Sequence, residues 1–368
     1  MLIVLGTRPQ IVKSAPIILE MAKSNSITAR VVHTGQHYDY QMSESFFEDL
    51  GVPIPKVSLG VGSGTHAWQT AEIMKRLEVI LDEMHPDLVL VPGDTNSALG
   101  AALAAAKLGI PIAHVEAGAR SYDFHMTEEI NRRLIDHCSS LLYAVSANCK
   151  RNLLRERVPG KSFNVGDPMC DTYLSHLPAA RASKVRERLG LGRGSYAVLT
   201  MHRAENVEQK NRLRVIVNEL LSTRELRIVF PIHPRTLDRL SSSGMIKGIR
   251  LPHMIPLEPV TYHDMMRLVL DARVVLTDSG GLQKEALWAR TPCITLRERT
   301  EWVETVKLGA NFLVDKNFRN FKSTLRFVIR NSESIRKKLL RIKNPYRPGA
   351  SRRIALSICR NIVTDVNS

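Results

Sequence analysis

Short apolar runs alternate with longer segments of helical periodicity along almost the whole chain. In one such segment, Ile11–Lys23, the apolar residues recur at the spacing of one face of a helix. This alternation predicts βαβ units, in which helices cover both faces of a parallel sheet. The predicted strands form two series: Leu2–Leu5, Ala29–His33, Leu88–Val91, Ile112–Val115 and Leu141–Val145, followed by Ala197–Thr200, Ile228–Pro231, Val274–Thr277 and Cys293–Leu296.

Two series of strands predict an α/β chain with two doubly wound, Rossmann-like parallel-sheet domains flanking a cleft. We expect an N-terminal domain at residues 1–170 and a C-terminal domain at 171–347, to which the family resemblance described below assigns the nucleotide. The segment Leu177–Gly194, rich in arginine, lysine and glycine, is interpreted as the hinge region. A last helix is predicted at Ala350–Ile362, and residues 348–368 are expected to pack back onto the first domain.

Composition limits the class of protein. The chain has 368 residues, of which 44% are hydrophobic, as in a globular protein of two ordinary domains. It contains no run of 18 or more apolar residues, so no membrane span is expected. The five cysteines are dispersed, and no C-x-x-C or H-E-x-x-H spacing occurs. We therefore expect a cytoplasmic protein without a bound metal.

Most of the net charge of +16 belongs to one C-terminal segment. Between Lys316 and Arg353 the chain has 13 basic residues and a single acid, Glu333, so the rest of the chain carries only +4. Such a segment is either a solvated helical face or a binding surface for nucleic acid or an anionic membrane. We favour the solvated face and expect no nucleic-acid partner.

The candidate acid–base residues stand where strands of the first series end. Glu116 directly follows the strand predicted at Ile112–Val115, Asp94 follows the preceding strand, and Glu128 begins the next helical pattern. Open α/β folds bind ligands at the carboxyl ends of their strands. We therefore expect these carboxylates in one crevice, where repulsion raises one pKa and lets an acid and a base coexist. For Asp94, capping of a helix that begins near Ser97 is the alternative.

Cationic and glycine-rich residues near other strand ends are candidates for binding phosphate. Arg8 and Lys13 follow the first strand of the first domain, and a guanidinium binds phosphate oxygens as a fork. His202 follows the first strand of the second domain. Thr277–Gly281 joins a strand to a helix whose N-terminus favours an anion. Glu285, one turn into that helix, is better placed for ribose hydroxyls than for phosphate.

Two common fingerprints are missing from the sequence. Neither Gly60–Gly64 nor Gly190–Gly194 has the G-x-G-x-x-G spacing of a dinucleotide-binding turn, and no G-x-S-x-G nucleophile elbow occurs. We therefore expect neither a nicotinamide cofactor nor the chemistry of a serine hydrolase.

An ordered set of segments closely resembles the non-hydrolysing UDP-N-acetylglucosamine 2-epimerases. The family's order is kept over nearly the whole chain, from Gly6 to about Gly349. The matching segments are Gly6-Thr-Arg-Pro-Gln-Ile-Val-Lys13, Thr34-Gly-Gln-His-Tyr38, Gly93-Asp-Thr95, His114-Val-Glu-Ala-Gly118, Glu128-Glu-Ile-Asn-Arg132, His202-Arg-Ala-Glu-Asn206, Asp278-Ser-Gly-Gly281 and Thr300-Glu-Trp-Val-Glu304.

The resemblance implies a fold like that of the B-type glycosyltransferases, a homodimer, and interconversion of UDP-GlcNAc and UDP-ManNAc without a cofactor. In the implied reaction, UDP is expelled from C1 while C2 loses its proton, which leaves 2-acetamidoglucal. UDP then adds back after C2 is protonated on its opposite face. Such an activity would feed the synthesis of surface polysaccharides or other glycans.

The resemblance also implies roles for individual residues. The acid–base candidates are Asp94, Glu116 and Glu128, with Lys13 and Arg132 supporting them. The diphosphate is assigned to Arg8, His202, Ser279, Gly280 and Gly281, with a possible proton-transfer role for His202, and the ribose is assigned to Glu285. Gln36 and His37 match a segment that, in some relatives, contributes to an activator site for a second UDP-GlcNAc.

The chain departs from the family pattern at Gln10, where a glutamate is common, at Asp167 and at Arg347-Pro348. The loop from Glu116 to Glu128 and the segment Thr300–Glu304 also resemble relatives that act on UDP-2,3-diacetamido-glucuronic acid. Epimerisation of that uronate is therefore the first alternative, followed by a hydrolysing epimerase and by a glycosyltransferase, since a fold alone does not decide a function.

Overall fold

The computed structural model describes residues 1–24, 26–36, 46–222, 225–232, 236–237, 240 and 253–365; within these, the side chains at 204, 205, 210, 221, 222 and 362–365 are left out. The chain divides into two compact units. The first unit consists of Met1–Ser175 together with Pro345–Ser368, and the second of His176–Asn344.

The first unit contains a seven-stranded parallel sheet in the order β3-β2-β1-β4-β5-β6-β7. Strand order reverses at β1 and β4, which is the arrangement of a doubly wound fold. The strands are β1 (Leu2–Leu5), β2 (Arg30–His33), β3 (Val57–Ser58), β4 (Val89–Pro92), β5 (Ile112–Val115), β6 (Leu141–Ala144) and β7 (Lys161–Asn164).

Helices cover this sheet and close its core. One cluster of fully buried side chains joins Leu2 and Val4 of β1 to Val89 of β4 and to the neighbouring helices. Continuous apolar strands such as β1 fit a sheet that is buried on both faces. The helices of this unit are α1 (Arg8–Met21), α2 (His66–Met84), α3 (Asn96–Lys107), α4 (Thr127–Cys138), α5 (Ala147–Arg155), α6 (Pro168–Ala182) and, at the other end of the chain, α14 (Ala350–Asp365), which packs on α1.

The second unit contains a six-stranded parallel sheet in the order β10-β9-β8-β11-β12-β13. Its strands are β8 (Tyr196–Thr200), β9 (Arg227–Pro231), β10 (Met254–Leu257), β11 (Val274–Thr277), β12 (Cys293–Thr295) and β13 (Asn311–Leu313). Its helices are α7 (Val185–Arg188), α8 (Ala204–Val207), α9 (Lys210–Ser222), α10 (Tyr262–Asp271), α11 (Gly280–Trp288), α12 (Val303–Lys307) and α13 (Phe321–Leu340), and α6 continues into this unit.

The predicted fold class of two doubly wound parallel-sheet units is confirmed, and every predicted strand is present within two residues at each end. Four strands were not predicted, and each lies at an outer edge of its sheet: β3, β7, β10 and β13. Edge strands are partly exposed here, so they lack the continuous apolar run that marks a central strand.

The structure also bears on the predicted hinge region and on the expected absence of a membrane span. The predicted hinge region, Leu177–Gly194, is largely helical, because it contains the end of α6 and all of α7. Across the described parts of the chain, no helix is both long enough and apolar enough to cross a membrane.

Candidate active site

In the first unit, Lys13 and Glu116 form a buried ion pair at the carboxyl end of the sheet. Nζ of Lys13 on α1 lies 2.8 Å from Oε1 of Glu116, and the side chains are 10% and 5% exposed. Gly93, after β4, makes room for this pair. A β-carbon on Gly93 would lie 2.9 Å from the same Nζ, and the backbone there has φ of 73°. Glycine alone fits that position without strain or displacement of the lysine.

Glu116 itself has a strained backbone. Its φ of 77° lies in the left-handed region, which a side chain with a β-carbon seldom adopts. The turn is held because the amides of Glu116 and Ala117 both donate to the carbonyl oxygen of Tyr143, at 3.0 and 3.2 Å. Strain of this kind costs about 1–3 kcal/mol and concentrates at functional sites. The strain supports a functional role for this carboxylate rather than a purely structural one.

Asp94 is held by a different cation. Nη2 and Nε of Arg132 on α4 lie 2.6 and 2.8 Å from Oδ2 of Asp94. Its Oδ1 has no partner among the described residues. Asp94 does not cap α3, since the N-cap is Thr95, whose hydroxyl accepts from the amide of Ala98. The helix-capping interpretation of Asp94 is therefore wrong.

The sequence predicts that Asp94 and Glu116 repel each other, whereas the structure gives each carboxylate its own cation. Lys13 neutralises one and Arg132 the other. An ionised carboxylate beside a buried cation is stabilised in that state. The arrangement therefore places a cation beside each of the two carboxylates.

Asp94 belongs to a closed ring of ion pairs and hydrogen bonds, which we call the charge ring. Acidic and basic groups alternate along it, so that almost every buried charge has a counter-charge on each side. The ring runs from Asp94 through Arg132 (2.6 Å), Glu129 (3.1 Å), Arg133 (3.3 Å), Glu156 (3.1 Å), Arg120 (2.7 Å), Asp136 (2.7 Å) and His114 (2.7 Å) to the carbonyl oxygen of Gly93 (2.9 Å).

Two members of the charge ring have clearly shifted pKa values. Burial alone would raise the pKa of Asp136, but His114 and Arg120 outweigh it and hold that pKa below its usual range. Burial likewise opposes the charge of Arg120, yet Glu156 and Asp136 raise its pKa. Both groups are therefore charged in the folded protein at neutral pH.

Apart from Asp94 and Arg132, the residues of the charge ring were not assigned to the site from the sequence. Glu128 was assigned as a site residue, and the structure places it, half-buried, in the first turn of α4. Its neighbour Glu129 is fully buried and accepts from the amide and hydroxyl of Ser121, at 2.8 and 3.0 Å. The spacing of acids and bases along α4 at three and four residues is the signal that would have revealed Glu129 and Asp136.

The remaining candidates of the first unit lie near the N-termini of α1 and α3. Arg8 is the first residue of α1, and its guanidinium carbon lies 5.0 Å from the ring centre of Phe46. Oε1 of Gln36 accepts from the hydroxyl and amide of Ser97, at 2.6 and 3.0 Å. Gln36 thus joins β2 to α3, and His37, the other activator candidate, lies outside the described residues.

Gln10 departs from the family pattern in a way that the structure explains. Its side-chain amide donates to the carbonyl oxygen of Pro92 at 2.9 Å, and its Oε1 accepts from the amide of Gly6 at 2.9 Å. The residue is fully buried. An amide satisfies both backbone groups at once, whereas an ionised carboxylate has no hydrogen to donate to Pro92.

In the second unit, Asp278 organises the loop that carries His202. The fully buried carboxylate accepts from the backbone amides of His202 and Arg203 and from the side-chain amide of Asn206, at 2.9–3.2 Å. Nδ1 of His202 lies 3.2 Å from Oδ1 of Asp278, and the side chain of His202 is 44% exposed. Asp278 therefore orients an accessible histidine at the carboxyl end of β8.

The N-terminus of α11 lies at the end of the neighbouring strand, β11. Ser279 is its N-cap and accepts from the amide of Leu282. A β-carbon on Gly280 would lie 2.5 Å from Oε1 of Glu301. The absence of a side chain at Gly280 thus leaves room for Glu301 of the segment 300–304, and the approach of an anion to this glycine stays a prediction.

Glu285 lies in the same helix, one turn further on. The carboxylate is 7% exposed, and the hydroxyl of Tyr262 donates to its Oε1 at 3.2 Å. The neighbouring Lys284 is fully buried, with Nζ 4.0 Å from the ring centre of Trp302. His202 and the start of α11 thus follow β8 and β11 of the second unit, and Glu285 lies one turn into α11.

No group of three or more histidine, cysteine, aspartate or glutamate side chains is arranged to hold a metal ion in the described part of the molecule. The first unit brings together two carboxylates, each paired with a cation. The second unit adds a histidine and a helix N-terminus suited to an anion.

Comparison with known proteins shows which family the chain belongs to. The sequence model of the family described as UDP-N-acetylglucosamine 2-epimerase matches residues 19–359. The UDP-N-acetylglucosamine 2-epimerase of Methanocaldococcus jannaschii is 44% identical over 357 residues, which are 95% of each chain. The UDP-2,3-diacetamido-2,3-dideoxy-D-glucuronate 2-epimerase of Pseudomonas aeruginosa is 40% identical over 319 residues, 85% of this chain and 87% of that protein.

Solved structures agree with the sequence comparisons. The crystal structure of the M. jannaschii enzyme in complex with UDP-GlcNAc and UDP superposes with a TM-score of 0.89, at 42% identity and over 99% of both chains. A glycosyltransferase from Rickettsia africae, at 14% identity and a TM-score of 0.60, shares the fold alone. The resemblance inferred from the sequence motifs is confirmed: the chain belongs to the UDP-N-acetylglucosamine 2-epimerase family of enzymes.

Proposed function

We propose that the protein interconverts UDP-GlcNAc and UDP-ManNAc by eliminating UDP and adding it back, without hydrolysis and without a redox cofactor. The observation that carries this proposal is the pair of carboxylates at adjacent strand ends. Glu116 is paired with Lys13, and Asp94 with Arg132. Relatives that match nearly the whole chain are named for this epimerisation.

The chemistry explains why more than one carboxylate is needed. The hydrogen on C2 lies beside an acetamido group rather than a carbonyl, so simple deprotonation would leave an unstabilised carbanion. If the C1–O bond breaks as the proton leaves, the electron pair of the C2–H bond forms a C1=C2 double bond and the pair of the C1–O bond departs with UDP. The product is 2-acetamidoglucal, and no net oxidation occurs.

Return of UDP to the glucal completes the epimerisation. A proton is delivered to C2 from the face opposite to the one that lost it, and a UDP oxygen bonds to C1. One carboxylate takes the first proton and a group on the other face supplies the second. Asp94, Glu116 and Glu128 are the proposed acid–base set. Lys13 is proposed to orient and balance the charge of Glu116, and Arg132 that of Asp94.

The second unit is proposed to hold the nucleotide. Ser279, Gly280 and Gly281 begin α11, whose N-terminal amides and dipole favour the diphosphate. His202, oriented by Asp278, contributes a donor to the same group and is a candidate for proton transfer. We propose Glu285 for the ribose hydroxyls, Arg8 for the diphosphate, and Gln36 with His37 for an activator molecule.

Breakage of the C1–O bond is the step that tests this proposal. UDP-GlcNAc labelled with ¹⁸O in the oxygen that bridges C1 and phosphorus would be incubated with the enzyme and recovered. Reversible elimination frees the β-phosphate to rotate, so we expect label to appear in non-bridging positions. Epimerisation with all label still in the bridge would reject elimination.

A second candidate substrate is UDP-2,3-diacetamido-glucuronic acid. The relative named for that uronate is 40% identical, close to the 44% of the relative named for UDP-GlcNAc. Both reactions use the same C2 chemistry, so the carboxylates do not distinguish them. Parallel assays with the two nucleotide sugars would, and a kcat/KM that favours the uronate by more than tenfold would replace UDP-GlcNAc as the substrate.

We also propose a homodimer that buries an apolar face on α4 and α5. This face consists of Phe124, Ile130, Leu134 and Leu154, and the first and last are 62% and 61% exposed. Strands β5, β6 and β7 are successive neighbours, so right-handed crossovers place α4 and α5 on one side of the sheet. A contiguous exposed apolar face commonly marks a protein interface.

Sedimentation velocity tests the dimer. We expect the wild-type protein to sediment as a dimer and Leu134→Glu to shift it to monomer, because a charge would be buried in the interface. The matched control is Leu356→Glu, since Leu356 on α14 is 48% exposed and lies outside the apolar face. Equal behaviour of the two variants would contradict the proposed interface.

A further inference from the structure

Several arginines converge at the amino-terminal edge of the second sheet, opposite to the edge that carries His202 and α11. Arg273 directly precedes β11, and Arg193 lies just before β8. Arg336 reaches the same place from α13. A cavity of about 290 Å³ lies between them; its lining includes Arg193, Asp271, Arg273, Ser332, Glu333 and Arg336.

The carboxylate of Asp271 is shared by three arginines at this edge, one of which is the cavity-lining Arg193, with Nε 3.4 Å away. Asp271 lies 3.0 Å from Nε of Arg267 and 3.4 Å from Nη1 of Arg186. Glu187 pairs with the same two arginines, at 3.7 and 2.8 Å. These contacts leave the arginines that line the cavity with an excess of positive charge. The lining has three arginines (Arg193, Arg273 and Arg336) and two carboxylates (Asp271 and Glu333), an excess of one positive charge.

Arg336 is fixed in place by the protein backbone. Its Nη2 donates to the carbonyl oxygen of Ala272 and, at 3.0 Å, to the hydroxyl of Thr291. Burial, the largest effect, and the nearby charges of Arg193 and Arg273 lower the pKa of Arg336. The backbone contacts thus hold the guanidinium of Arg336 near Arg193 and Arg273, whose charges repel it.

Arg273 completes the set of cations. Its Nε is buried and has no hydrogen-bond partner among the described residues. A buried donor without an acceptor costs stability, on the order of 1–3 kcal/mol. Three guanidinium groups around a cavity with an excess of one positive charge, one of them with a buried and unpaired Nε, form a donor set suited to a phosphate group.

We propose that this cavity is a binding site for the phosphate group of a small phosphorylated metabolite. The cavity is large enough for a phosphate and part of its substituent, and too small and concave for an extended polyanion. The site is independent of the proposed epimerase function.

The site is distinct from the proposed diphosphate site in the same unit. Arg273 and Asp278 flank opposite ends of β11, five residues apart. At about 3.3 Å per residue in a strand, their α-carbons are roughly 16 Å apart. One phosphate group cannot contact both ends, so variants at each end separate the two sites.

Calorimetric titration with sodium phosphate at constant ionic strength tests the proposal. The titration uses a His202→Ala background, which weakens phosphate binding at the carboxyl edge. We expect saturable binding of one phosphate per chain in that background. Adding Arg273→Ala, or Arg193→Ala as a second variant at an exposed residue, is expected to weaken it at least tenfold, because a charge-assisted fork is lost.

The matched control is Arg326→Ala on α13. Arg326 is 52% exposed and pairs with Glu225 at 3.2 Å, away from the cavity, so phosphate affinity should stay within twofold. Absence of saturable binding in the His202→Ala background would overturn the proposal. So would an equal loss of phosphate affinity in Arg326→Ala and Arg273→Ala.

Discussion

Replacing Lys13 with methionine removes the cation beside Glu116 and keeps a side chain of similar length. The two groups are 2.8 Å apart and almost fully buried. With an effective dielectric constant of about 20, the Coulomb energy at that distance is roughly 6 kcal/mol. Desolvation offsets part of it, and removal of one partner of a buried pair typically costs about 3–5 kcal/mol. The variant should therefore be strongly destabilised if Glu116 remains ionised.

Glu116 can escape this cost by binding a proton, and then it no longer serves as a base. We expect kcat/KM for UDP-GlcNAc to fall by about 10²–10⁴ in Lys13→Met, the range of a lost general base. Stability would be measured by urea unfolding followed in the first unit, and turnover by NMR of the two nucleotide sugars. Both should fall in the same variant.

The double variant Lys13→Met/Glu116→Gln separates charge from packing. It removes both charges and keeps both shapes, so it should be more stable than Lys13→Met by at least about 1 kcal/mol while remaining inactive. If the double variant is no more stable than the single one, the ion pair does not carry the energy assigned to it. If Lys13→Met keeps wild-type activity, the assignment of Glu116 as an acid–base group supported by Lys13 is refuted.

Three further outcomes follow from the geometry. Gly280→Ala places a β-carbon 2.5 Å from Oε1 of Glu301; we expect UDP affinity, measured by calorimetry, to fall about tenfold as the helix start shifts. Gly118→Ala, with φ of 76° and a β-carbon 2.2 Å from the carbonyl oxygen of Cys149, should lower the unfolding free energy by about 3 kcal/mol or more. Because the folded-state pKa of Asp136 is depressed, its contribution to stability is present above about pH 4 and lost as pH falls through that lower pKa. Thermal melts of wild type and Asp136→Asn from pH 7 to pH 3 should therefore converge at acid pH, and parallel curves would contradict this.

The central strands could be predicted from sequence because burial on both faces leaves a continuous apolar run. The run Val274–Thr277, for example, is fully buried and is a strand with the predicted ends. The edge strand Lys161–Asn164 has no such run, because one side of it is partly exposed. Its existence depends on pairing with β6, which local periodicity does not encode.

The sequence could locate candidate site residues at strand ends, but it could not show which side chains hold them in place. Glu116 and Asp94 were predicted from their positions, whereas the charge ring closes through pairs distant in sequence, such as Arg120 with Glu156. Sequence gives the charges on α4 without showing which of two adjacent glutamates is buried. The structure gives the buried position to Glu129, because Ser121, in the loop between β5 and α4, offers it two donors.

The basic C-terminal segment divides into two parts in the structure. Most of its charges on α13, such as Lys337 and Lys338, are exposed, as expected for a solvated face. Arg336 differs, because it turns toward the sheet and donates to backbone carbonyl oxygens. Net charge includes all of these residues alike, so an arginine cluster at a sheet edge could not be recognised from composition.

The measurement that tests the central claim most directly is proton NMR of UDP-GlcNAc incubated with the purified enzyme in deuterated water. Reversible elimination requires that the C2 hydrogen be exchanged with solvent during each epimerisation. We expect UDP-ManNAc to form with deuterium at C2, and deuterium to enter the UDP-GlcNAc pool as the reaction reverses. Formation of UDP-ManNAc that retains its original C2 hydrogen would contradict the account.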